Sequence, residues 1–548
     1  MAVTAGAPAD AAALGTPPPF PGSPYAPQHT TRRRLAYFLS AVALGCVINL
    51  GNGILSANQS VLAGAGGDDL TTTALLPGVY VGCNAAANLV LVKARAQFGI
   101  PALTRVMMLS YAIAALLVFF APGTTTAILL SGVSGTAAAS LTTLCVYYAM
   151  QALPDRVKPA GLIIGIGTVQ FATPLARLVP VDVLAQGGWP AFAMIQLAIA
   201  LFALVIVFAC PLPPTIRVKM FSGTDLLTYG LMLGANLLLC ITLSEGRLLW
   251  WHDTPWLGLT LAAAPLLYAA ALSIERVRRV PMLRLQWFGT GTILRFAAVA
   301  VIMRLALAEQ SFGAVGLLGS AGLSNDQYHL LYGCIVLGEL AGIVVAVVTA
   351  SERRIPYQVL VAALVIAYGA WLDAGSNDLT RPGELIFSQT LIAFGTTLFI
   401  GPTLMFGAAA MLRRGPDYLI SLVVLFSVSQ NIGGLVGSAL LSTYQVARTK
   451  THAAALMEGM RTGDPSITDR IAQGSHALAG TLQDPGALAA QGAGRLGQAV
   501  GRQAAVLGFL DAFTLVMLVA LVGAAVIAAG LLRQNFRERR SAQLGARS

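Results

Sequence analysis

Long apolar segments alternate along this chain with short polar connections, and most basic residues lie in every second connection. If residues 35–532 are divided into fourteen membrane spans with both termini on one side, that side holds 23 of the 34 lysine and arginine residues. The short connections of the other side hold only Arg247 and Arg381. Because short basic connections stay in the cytoplasm during insertion, the pattern predicts a multi-pass membrane protein with cytoplasmic N- and C-termini.

Composition supports the same class of protein. A span of about 20 apolar residues crosses about 30 Å of hydrocarbon. The chain has 548 residues, of which 56% are hydrophobic and 10% charged, and this is too apolar for a soluble enzyme of that size. The net charge of +11 lies beside the spans, so it indicates membrane insertion and argues against nucleic-acid binding. The predicted spans are 35–55, 73–92, 103–121, 126–150, 160–180, 190–210, 225–244, 256–274, 293–318, 328–350, 357–374, 384–411, 417–443 and 506–532.

Motifs for enzyme chemistry are missing from the sequence. It contains no HExxH, GxSxG or GxxxxGK pattern. All six cysteines fall within apolar segments, and none has the spacing of a metal ligand. We therefore predict no enzyme activity, no metal and no cofactor, and any pumping must draw on an ion gradient.

Acidic residues inside the spans are the first candidates for function, because a charge within the bilayer is costly. Glu339 lies midway along its span, and Glu309 lies in the ninth predicted span. We predict that both couple transport to protons. The alternative for each is an ion pair with an arginine on another helix. Arg304 lies five residues before Glu309, so the two side chains point about 140° apart on a helix and face different partners.

Arginines and amides within the spans are candidates for a substrate cleft. Arg177 either holds an anionic substrate group, pairs with Glu339 or Glu309, or reaches the outer edge near Asp182. The span arginines favour an anionic aromatic substrate over a cationic drug, although Arg295, near the inner end of its span, is better explained as an anchor. The alternative for each amide is a hydrogen bond that joins two helices. The cleft candidates are Arg177, Arg304, Asn52, Asn84, Asn88 and Gln170.

Two further features lie outside this cleft. Asp225 and Asp511 are placed at predicted helix starts, where a carboxylate caps free amides. Residues 444–505 separate the last two spans and lie outside the membrane. Two apolar runs there predict short amphipathic helices that pack on the protein's own outer face, on the bilayer or on a partner protein. The first run is Ile467, Ile471, Leu478 and Leu482, and the second, weaker run extends from Leu488 to Val500.

The stretch 427–442, SVSQNIGGLVGSALLS, is followed by ARTKTH at 447–452. These residues resemble the penultimate-span signature of the fourteen-span drug:proton antiporters of the major facilitator superfamily, the EmrB/QacA type. Weaker matches occur at 221–225, 281–285 and 511–513. The resemblance implies an all-α membrane protein with the major facilitator fold, two six-helix bundles plus two inserted spans. It also implies proton-driven efflux of hydrophobic or amphiphilic small molecules, drugs or aromatic acids, across the bacterial inner membrane. For members with a long outer loop it implies a periplasmic membrane-fusion adaptor as a partner.

Composition, charge and the resemblance together divide the chain into segments. They are a disordered cytoplasmic tail at 1–34, a six-helix bundle at 35–210, two inserted spans at 225–274, a second bundle at 293–532 that includes the periplasmic loop 444–505, and a basic tail at 533–548.

Departures from the family pattern leave other functions open. Gly51 stands where the family has an acid, Ser131 stands where it has an arginine, and 173–178 lacks the family's glycines. The family's coupling residues therefore cannot be transferred to this chain. The alternatives are an importer or facilitator of the same fold, or a non-transporting membrane receptor or assembly subunit.

Overall fold

The computed structural model describes residues 22–460, 464–476 and 484–545, and these residues are almost entirely helical. Twelve helices in this part of the chain are long and apolar enough to cross a membrane. The prediction of an all-α, multi-pass membrane protein is confirmed. Leu478, Leu482 and the ends of both predicted tails, at 1–21 and 546–548, lie outside the described residues.

Fifteen helices, some built from several pieces, account for most of this structure. Shorter helical turns lie in the connections, at Gln59–Gly66, Asp155–Val157, Leu285–Phe288, Asn325–Gln327 and Pro416–Tyr418. The numbered helices are α1 (Thr31–Ile48 and Leu50–Ala57), α2 (Leu70–Phe98), α3 (Ile100–Phe120), α4 (Thr124–Ala152), α5 (Ala160–Thr168, Val169–Phe171 and Ala172–Ala176), α6 (Val181–Ala209), α7 (Gly223–Glu245), α8 (Pro255–Val277), α9 (Gly291–Ala306, Glu309–Gly313 and Ala314–Ser320), α10 (His329–Val348), α11 (Ile355–Asp373), α12 (Ile386–Leu412), α13 (Leu419–Ser427, Val428–Ile432 and Gly433–Glu458), α14 (Pro465–His476) and α15 (Pro485–Gly545).

Predicted spans coincide with interrupted helices at α1, α5, α9 and α13, and the interruptions of α5 and α9 affect the number of spans. Helix α5 corresponds to the predicted span 160–180. In it, a tight 3₁₀ turn precedes Pro174, and the ring nitrogen of this proline cannot donate a helical hydrogen bond. In α9, which answers to the span 293–318, a wider π-helical turn begins at Glu309. Neither segment is among the twelve long helices, so the count of fourteen spans stays a prediction.

The two largest clusters of buried apolar side chains in the described residues lie mainly in different parts of the chain. One is formed by α1 to α6 with Ile343 of α10, and the other by α9 to α13 and α15 with Ile163 and Ile166 of α5. We refer to these groups as the N-terminal and C-terminal halves, with α10 in the latter, where it packs on α12. The helices α7 and α8 pack on each other, and α7 packs along α2. The bounds 35–210, 225–274 and 293–532 stay predictions.

The described segment before α1, the part of α15 around Arg533 and every second connection lie on one face, which we name the basic face. Pro24, before α1, bridges Thr215 in the connection that follows α6. In the C-terminal half, Arg413 after α12 pairs with Glu352 before α11 at 3.2 Å. This arrangement agrees with the alternation of basic residues in the sequence, and the assignment of this face to the cytoplasm stays a prediction.

The N-terminal segment differs from the disordered tail predicted for 1–34. The backbone N–H of Gly22 donates to the carbonyl of Ile216, and that of Tyr25 donates to the carbonyl of Pro214. Helix α1 already begins at Thr31. The prediction of disorder is therefore wrong for 22–34, because this segment finds backbone partners that cannot be read from its own composition.

The outer segment 444–505 is also organised differently from its prediction. Helix α13 continues past the predicted end of its span, and α15 runs without a break from Pro485 through the last span. The second run therefore does not form a separate short helix. Its glycines permit close packing, since Gly492 lies against Gly474 of α14. Ser475 of α14 also donates to the carbonyl of Leu488 at 2.9 Å, so the outer segment packs on itself.

Candidate functional site

Two buried carboxyl groups share one side-chain amide where α9, α11 and α12 meet. Gln389 Nε2 donates to Glu309 Oε1 at 2.8 Å and to Asp373 Oδ2 at 2.7 Å. All three residues are at most 1% exposed. Among the described residues, neither carboxyl group pairs with a lysine, arginine or histidine. Two neighbouring carboxylates without a cation cannot both be charged at low cost, so the arrangement suits a group that holds and releases a proton. We name Glu309 and Asp373 the acid pair.

The helix ends position this acid pair. Asp373 is the last residue of α11, and Gln389 lies in the first turn of α12. Ser388 donates a further hydrogen bond to Asp373 Oδ1. Glu309 is the first residue of the π-helical turn in α9, a type of distortion that is frequent at functional sites. The acid pair therefore lies toward the face opposite the basic face.

Sequence reasoning found only one member of this site. Glu309 was predicted as a proton-coupling residue, whereas Asp373 was not singled out because it stands at the end of a predicted span. Gln389 carries no charge, so its position in the sequence does not indicate a functional site. An acid in the last turn of a span, followed by polar residues at the start of the next, is the pattern that could have indicated the pair.

Glu339 is buried on α10, and it has no ion partner in the described part of the chain. It is 2% exposed, and its Oε2 has no hydrogen-bond partner. Thr397 Oγ1 of α12 donates at 2.9 Å to the backbone carbonyl of Glu339, not to its carboxyl group. Helix α10 packs against α5 of the other half. The alternative prediction, an ion pair with an arginine, is therefore not found among the described residues.

Arg304 faces α13, on another side of α9 from the acid pair. Its Nε donates at 2.8 Å to the carbonyl of Gln430, which lies in the π-helical turn of α13. A Cβ atom at Gly434 would lie only 2.8 Å from Arg304 Nε, so the glycine-rich stretch leaves room for this side chain. Arg304 has no carboxylate partner in the described part of the chain. As their spacing predicts, Arg304 and Glu309 have different partners.

Two of the predicted cleft amides instead join the halves. Asn431 of α13 donates to Asn84 Oδ1 at 2.8 Å, and Asn88 donates to Ser427 Oγ at 2.9 Å. Asn84 also donates to the carbonyl of Gly135 on α4 at 3.0 Å. These contacts fit the alternative role, hydrogen bonding between helices.

The other two amides lie apart from this group. Gln170 Nε2 bonds at 3.4 Å to the carbonyl of Ile166 in its own helix, and Asn52 Oδ1 is buried without a partner. Near Asn52, the space beside Gly51 is filled from another helix. A Cβ atom at Gly51 would lie 2.0 Å from Gln196 Oε1, so the amide of Gln196 takes that space.

Arg177 pairs with neither Glu339 nor Glu309, and that predicted alternative is wrong. Its Nη1 donates to Asn325 Oδ1 at 2.7 Å, and its guanidinium carbon lies 5.9 Å from the ring centroid of Tyr332. Asn325 Nδ2 in turn donates to the carbonyl of Ala57 at 3.0 Å and to Asn58 Oδ1 at 3.1 Å. We name Asn58, Arg177 and Asn325 the outer latch. It joins the ends of α1 and α5 to the turn before α10.

Asp225 does more than cap a helix. The predicted cap is present, with Ser222 as its partner, but the carboxylate also pairs with Lys93 at 2.9 Å and with Arg278 at 2.6 Å. Partial burial opposes the charge of Arg278, but its hydrogen bonds to Asp225 and Glu275 outweigh this effect and raise the pKa of Arg278 above its usual range. This network fastens α7 and α8 to the end of α2.

The interpretation of Asp511 as a cap is wrong, because α15 begins at Pro485 and places Asp511 mid-helix. Its Oδ2 accepts hydrogen bonds from Arg448 Nε at 2.6 Å and His452 Nε2 at 2.7 Å. Arg295 lies near the basic face, where Nε donates to the carbonyl of Gly291 at 2.9 Å, as expected for an anchor.

Comparisons with known proteins assign no role to these residues. No family model and no curated protein matches the sequence. The human organic anion transporter MFSD10 (TETRAN) is similar in structure, with 12% identity, a TM-score of 0.49, and coverage of 90% of this chain and 100% of that one. A bacterial homologue of the human lysosomal transporter Spinster, inward-facing and unoccupied, has 14% identity, a TM-score of 0.49, and coverage of 91% and 97%. At this level of similarity, neither structure identifies a substrate or a mechanism for this chain.

Proposed function

We propose that this chain is a proton-coupled secondary transporter that exports hydrophobic or amphiphilic small molecules across the bacterial inner membrane. The observation that carries the proposal is the acid pair, in which Glu309 and Asp373 share the amide of Gln389 without a cation. Ionisable groups within the bilayer are costly and are kept where ions or protons pass. A pair that holds one proton while it is buried can couple the movement of that proton to the export of substrate.

The outer latch supports a link between this proton and the shape of the protein. It holds the two halves together on the face toward which the acid pair lies. Opening of the latch would admit water to the pair and let it exchange a proton with the outside. Closure would dehydrate the pair, so that the protonated form is favoured in the closed state. Glu339, midway along α10, is proposed as the second proton-carrying group, nearer the basic face.

Arg304 supports an anionic aromatic substrate. Its guanidinium group has a carbonyl acceptor in Gln430 but no carboxylate partner in the described residues. A planar guanidinium binds carboxylates in a bidentate manner and stacks on aromatic rings. We propose that the substrate contacts this group between α9 and α13.

The test is gradient-driven uptake into proteoliposomes with the basic face outward and an acidic interior. The probes are the anionic aromatic dye 8-anilino-1-naphthalenesulfonate and the cationic dye ethidium. We expect the wild-type chain to accumulate the anionic dye. Glu309→Gln and Asp373→Asn should lose gradient-driven accumulation by at least about tenfold. They should keep exchange of dye against dye, because exchange needs no net proton movement.

Asp378→Asn is the matched control, because Asp378 is an exposed carboxylate close to Asp373 in the chain. It should behave like wild type. Accumulation by Glu309→Gln and Asp373→Asn at the wild-type level would overturn the assignment of coupling to the acid pair. Flux that needs no gradient would favour a facilitator, gradient-driven loss of preloaded dye from the vesicle interior an importer, and binding without flux a receptor. Transport by the purified chain would also show that a periplasmic adaptor on the outer segment is not required for flux.

A further inference from the structure

A cavity of about 670 Å³ opens within the C-terminal half at the basic face, away from the acid pair. It lies between α9, α11, α12 and α15. Ligand sites in proteins commonly measure about 300–1,000 Å³, so the cavity can hold a molecule of substantial size. No residue of the acid pair or of the outer latch lines it.

The cavity combines a basic rim with an apolar interior. The rim carries Arg295, Arg413, Arg414 and Arg533, against which the described lining residues offer one carboxylate, Glu352. Glu352 pairs with Arg413 at 3.2 Å, so the other three arginines keep an excess of positive charge. The interior is formed by aromatic and branched aliphatic side chains, among them Phe296, Val359, Phe406 and Ile527.

Among the described residues that line this apolar wall, one hydroxyl group is unpaired. Thr403 lines the cavity from α12 and is 4% exposed. Its Oγ1 is buried and has no hydrogen-bond partner. An unpaired buried hydroxyl group is costly, and a ligand with an acceptor oxygen just below its charged end would satisfy it.

We propose that this cavity binds an anionic phospholipid from the leaflet at the basic face. The phosphate group contacts the arginine rim, an ester carbonyl accepts from Thr403 after its hydroxyl group turns toward the cavity, and part of an acyl chain lies among the apolar side chains. Arginine forms strong, charge-assisted hydrogen bonds to phosphate. Basic pockets between membrane helices at the cytoplasmic side are suited to such headgroups. This role is separate from the proposed transport function.

Binding can be measured without a gradient or a substrate. The purified full chain in neutral detergent is titrated with palmitoyl-lysophosphatidylglycerol, palmitoyl-lysophosphatidylcholine or glycerol 1-phosphate, and complexes are counted by native mass spectrometry. We expect the anionic lysolipid to bind most tightly. Arg414→Gln with Arg533→Gln should weaken it roughly 10- to 30-fold, since each basic residue contributes about 1 kcal/mol at an anionic membrane surface. Val359→Phe should weaken it by filling the interior.

Arg276→Gln with Arg279→Gln is the matched control, because both are exposed arginines of the basic face that do not line the cavity. Its affinity should equal that of wild type, and all variants should keep the wild-type melting temperature within a few degrees. Equal affinity for the zwitterionic lysolipid would overturn the proposal in favour of an apolar slot. Equal affinity for glycerol 1-phosphate would overturn it in favour of a soluble anion site. An equal loss in the control variant would overturn it in favour of unspecific surface charge. Because no flux is measured, these outcomes are independent of the transport proposal.

Discussion

Arg177 Nη1 donates a hydrogen bond of 2.7 Å to Asn325 Oδ1, and this contact ties the end of α5 to the turn before α10. Asn325 also reaches Ala57 and Asn58 at the end of α1, so one amide side chain bridges two helices of the N-terminal half to the C-terminal half. The face opposite the basic face is therefore held closed in part by a few polar contacts between the two halves. Such contacts can be broken and remade at moderate cost, as an alternating gate requires.

Removal of this amide should shift the protein toward a form that is open on the opposite face. Asn325→Ala deletes the acceptor for Arg177 and the donor for Asn58. A hydrogen bond to a charged group contributes about 1.5–3 kcal/mol, so we expect the open population to rise by about tenfold or more. Double electron–electron resonance between spin labels at Thr125 and Asp378, exposed on the two halves, should report a longer distance.

Asn377→Ala is the matched control for this variant, because Asn377 bonds only within its own connection, to the backbone of Leu379. Its distance distribution should match that of the wild-type chain. An unchanged distribution in Asn325→Ala would show that the outer latch does not hold the closed state.

A second prediction concerns the buried ion pair between α2 and α7. Asp225→Asn leaves Lys93 buried and without a carboxylate, because both side chains of the 2.9 Å pair are at most 4% exposed. Loss of one partner from a buried pair costs about 3–5 kcal/mol, whereas loss of a helix cap alone costs about 1 kcal/mol. We therefore expect a fall in the free energy of unfolding well beyond a capping effect, measured by thermal melting in detergent.

Two variants separate these explanations. Asp155→Asn removes an exposed pair with Lys158 and should cost no more than about 1 kcal/mol. Lys93→Met in the Asp225→Asn background removes the unpaired charge and should restore part of the lost stability. A double variant less stable than Asp225→Asn alone would contradict the ion-pair explanation.

The sequence was sufficient to predict the class of fold, because insertion into a membrane depends on local features. Apolar length decides where a span lies, and short basic connections decide which face they occupy. The contact of Pro24 with Thr215 brings together the N-terminal segment and the connection after α6, as the alternation predicts. Helix periodicity also predicted that Arg304 and Glu309 have different partners.

The candidate site could be predicted only in part, because its geometry depends on contacts between distant segments. Glu309 and Gln389 are far apart in the chain. Glu309 begins a π-helical turn, and no sequence motif predicts this turn. The sequence left several possible partners open for Arg177. Asn325 carries no charge, so nothing in the sequence indicates that it is the partner. Helices α13 and α15 extend beyond their predicted spans, and they pack on each other there, a contact between segments that are distant in the chain.

The room beside Arg304 gives a third prediction. A Cβ atom at Gly434 would lie 2.8 Å from Arg304 Nε and 2.9 Å from Nη2, so Gly434→Ala should push the guanidinium group away from the carbonyl of Gln430. The side chain is flexible, so we expect a loss of stability of about 1–2 kcal/mol and not unfolding. Arg304→Ala in the Gly434→Ala background should then cost less than it does alone, as measured by thermal melting.

Gly433→Ala serves as the comparison, because its added Cβ would lie 3.4 Å from Arg304 Cγ, an ordinary contact. It should change the melting temperature less than Gly434→Ala does. Strict additivity of Arg304→Ala and Gly434→Ala would show that the two positions act independently.

The attachment of the N-terminal segment should weaken at acidic pH. His29 Nε2 lies 2.9 Å from Gln151 Oε1, and Gln151 in turn donates to the carbonyl of Tyr25 at 2.8 Å. Burial lowers the pKa of His29 below 6.5, and the nearby Arg33 acts in the same direction. The attached segment therefore binds fewer protons than the detached segment. Its stability is complete above about pH 6.5 and falls as the pH drops below that value, toward the lowered pKa.

Hydrogen exchange at the backbone amide of Tyr25, which donates to the carbonyl of Pro214 at 3.1 Å, provides the measurement. After correction for the intrinsic pH dependence of exchange, protection at this amide should be greater at pH 8 than at about pH 5. His29→Gln keeps a side chain that can donate to Gln151 but does not titrate, so its protection should be independent of pH. A wild-type protection factor that stays constant across this range would mean that His29 does not control the attachment. A pH dependence that persists in His29→Gln would assign it to another titrating group.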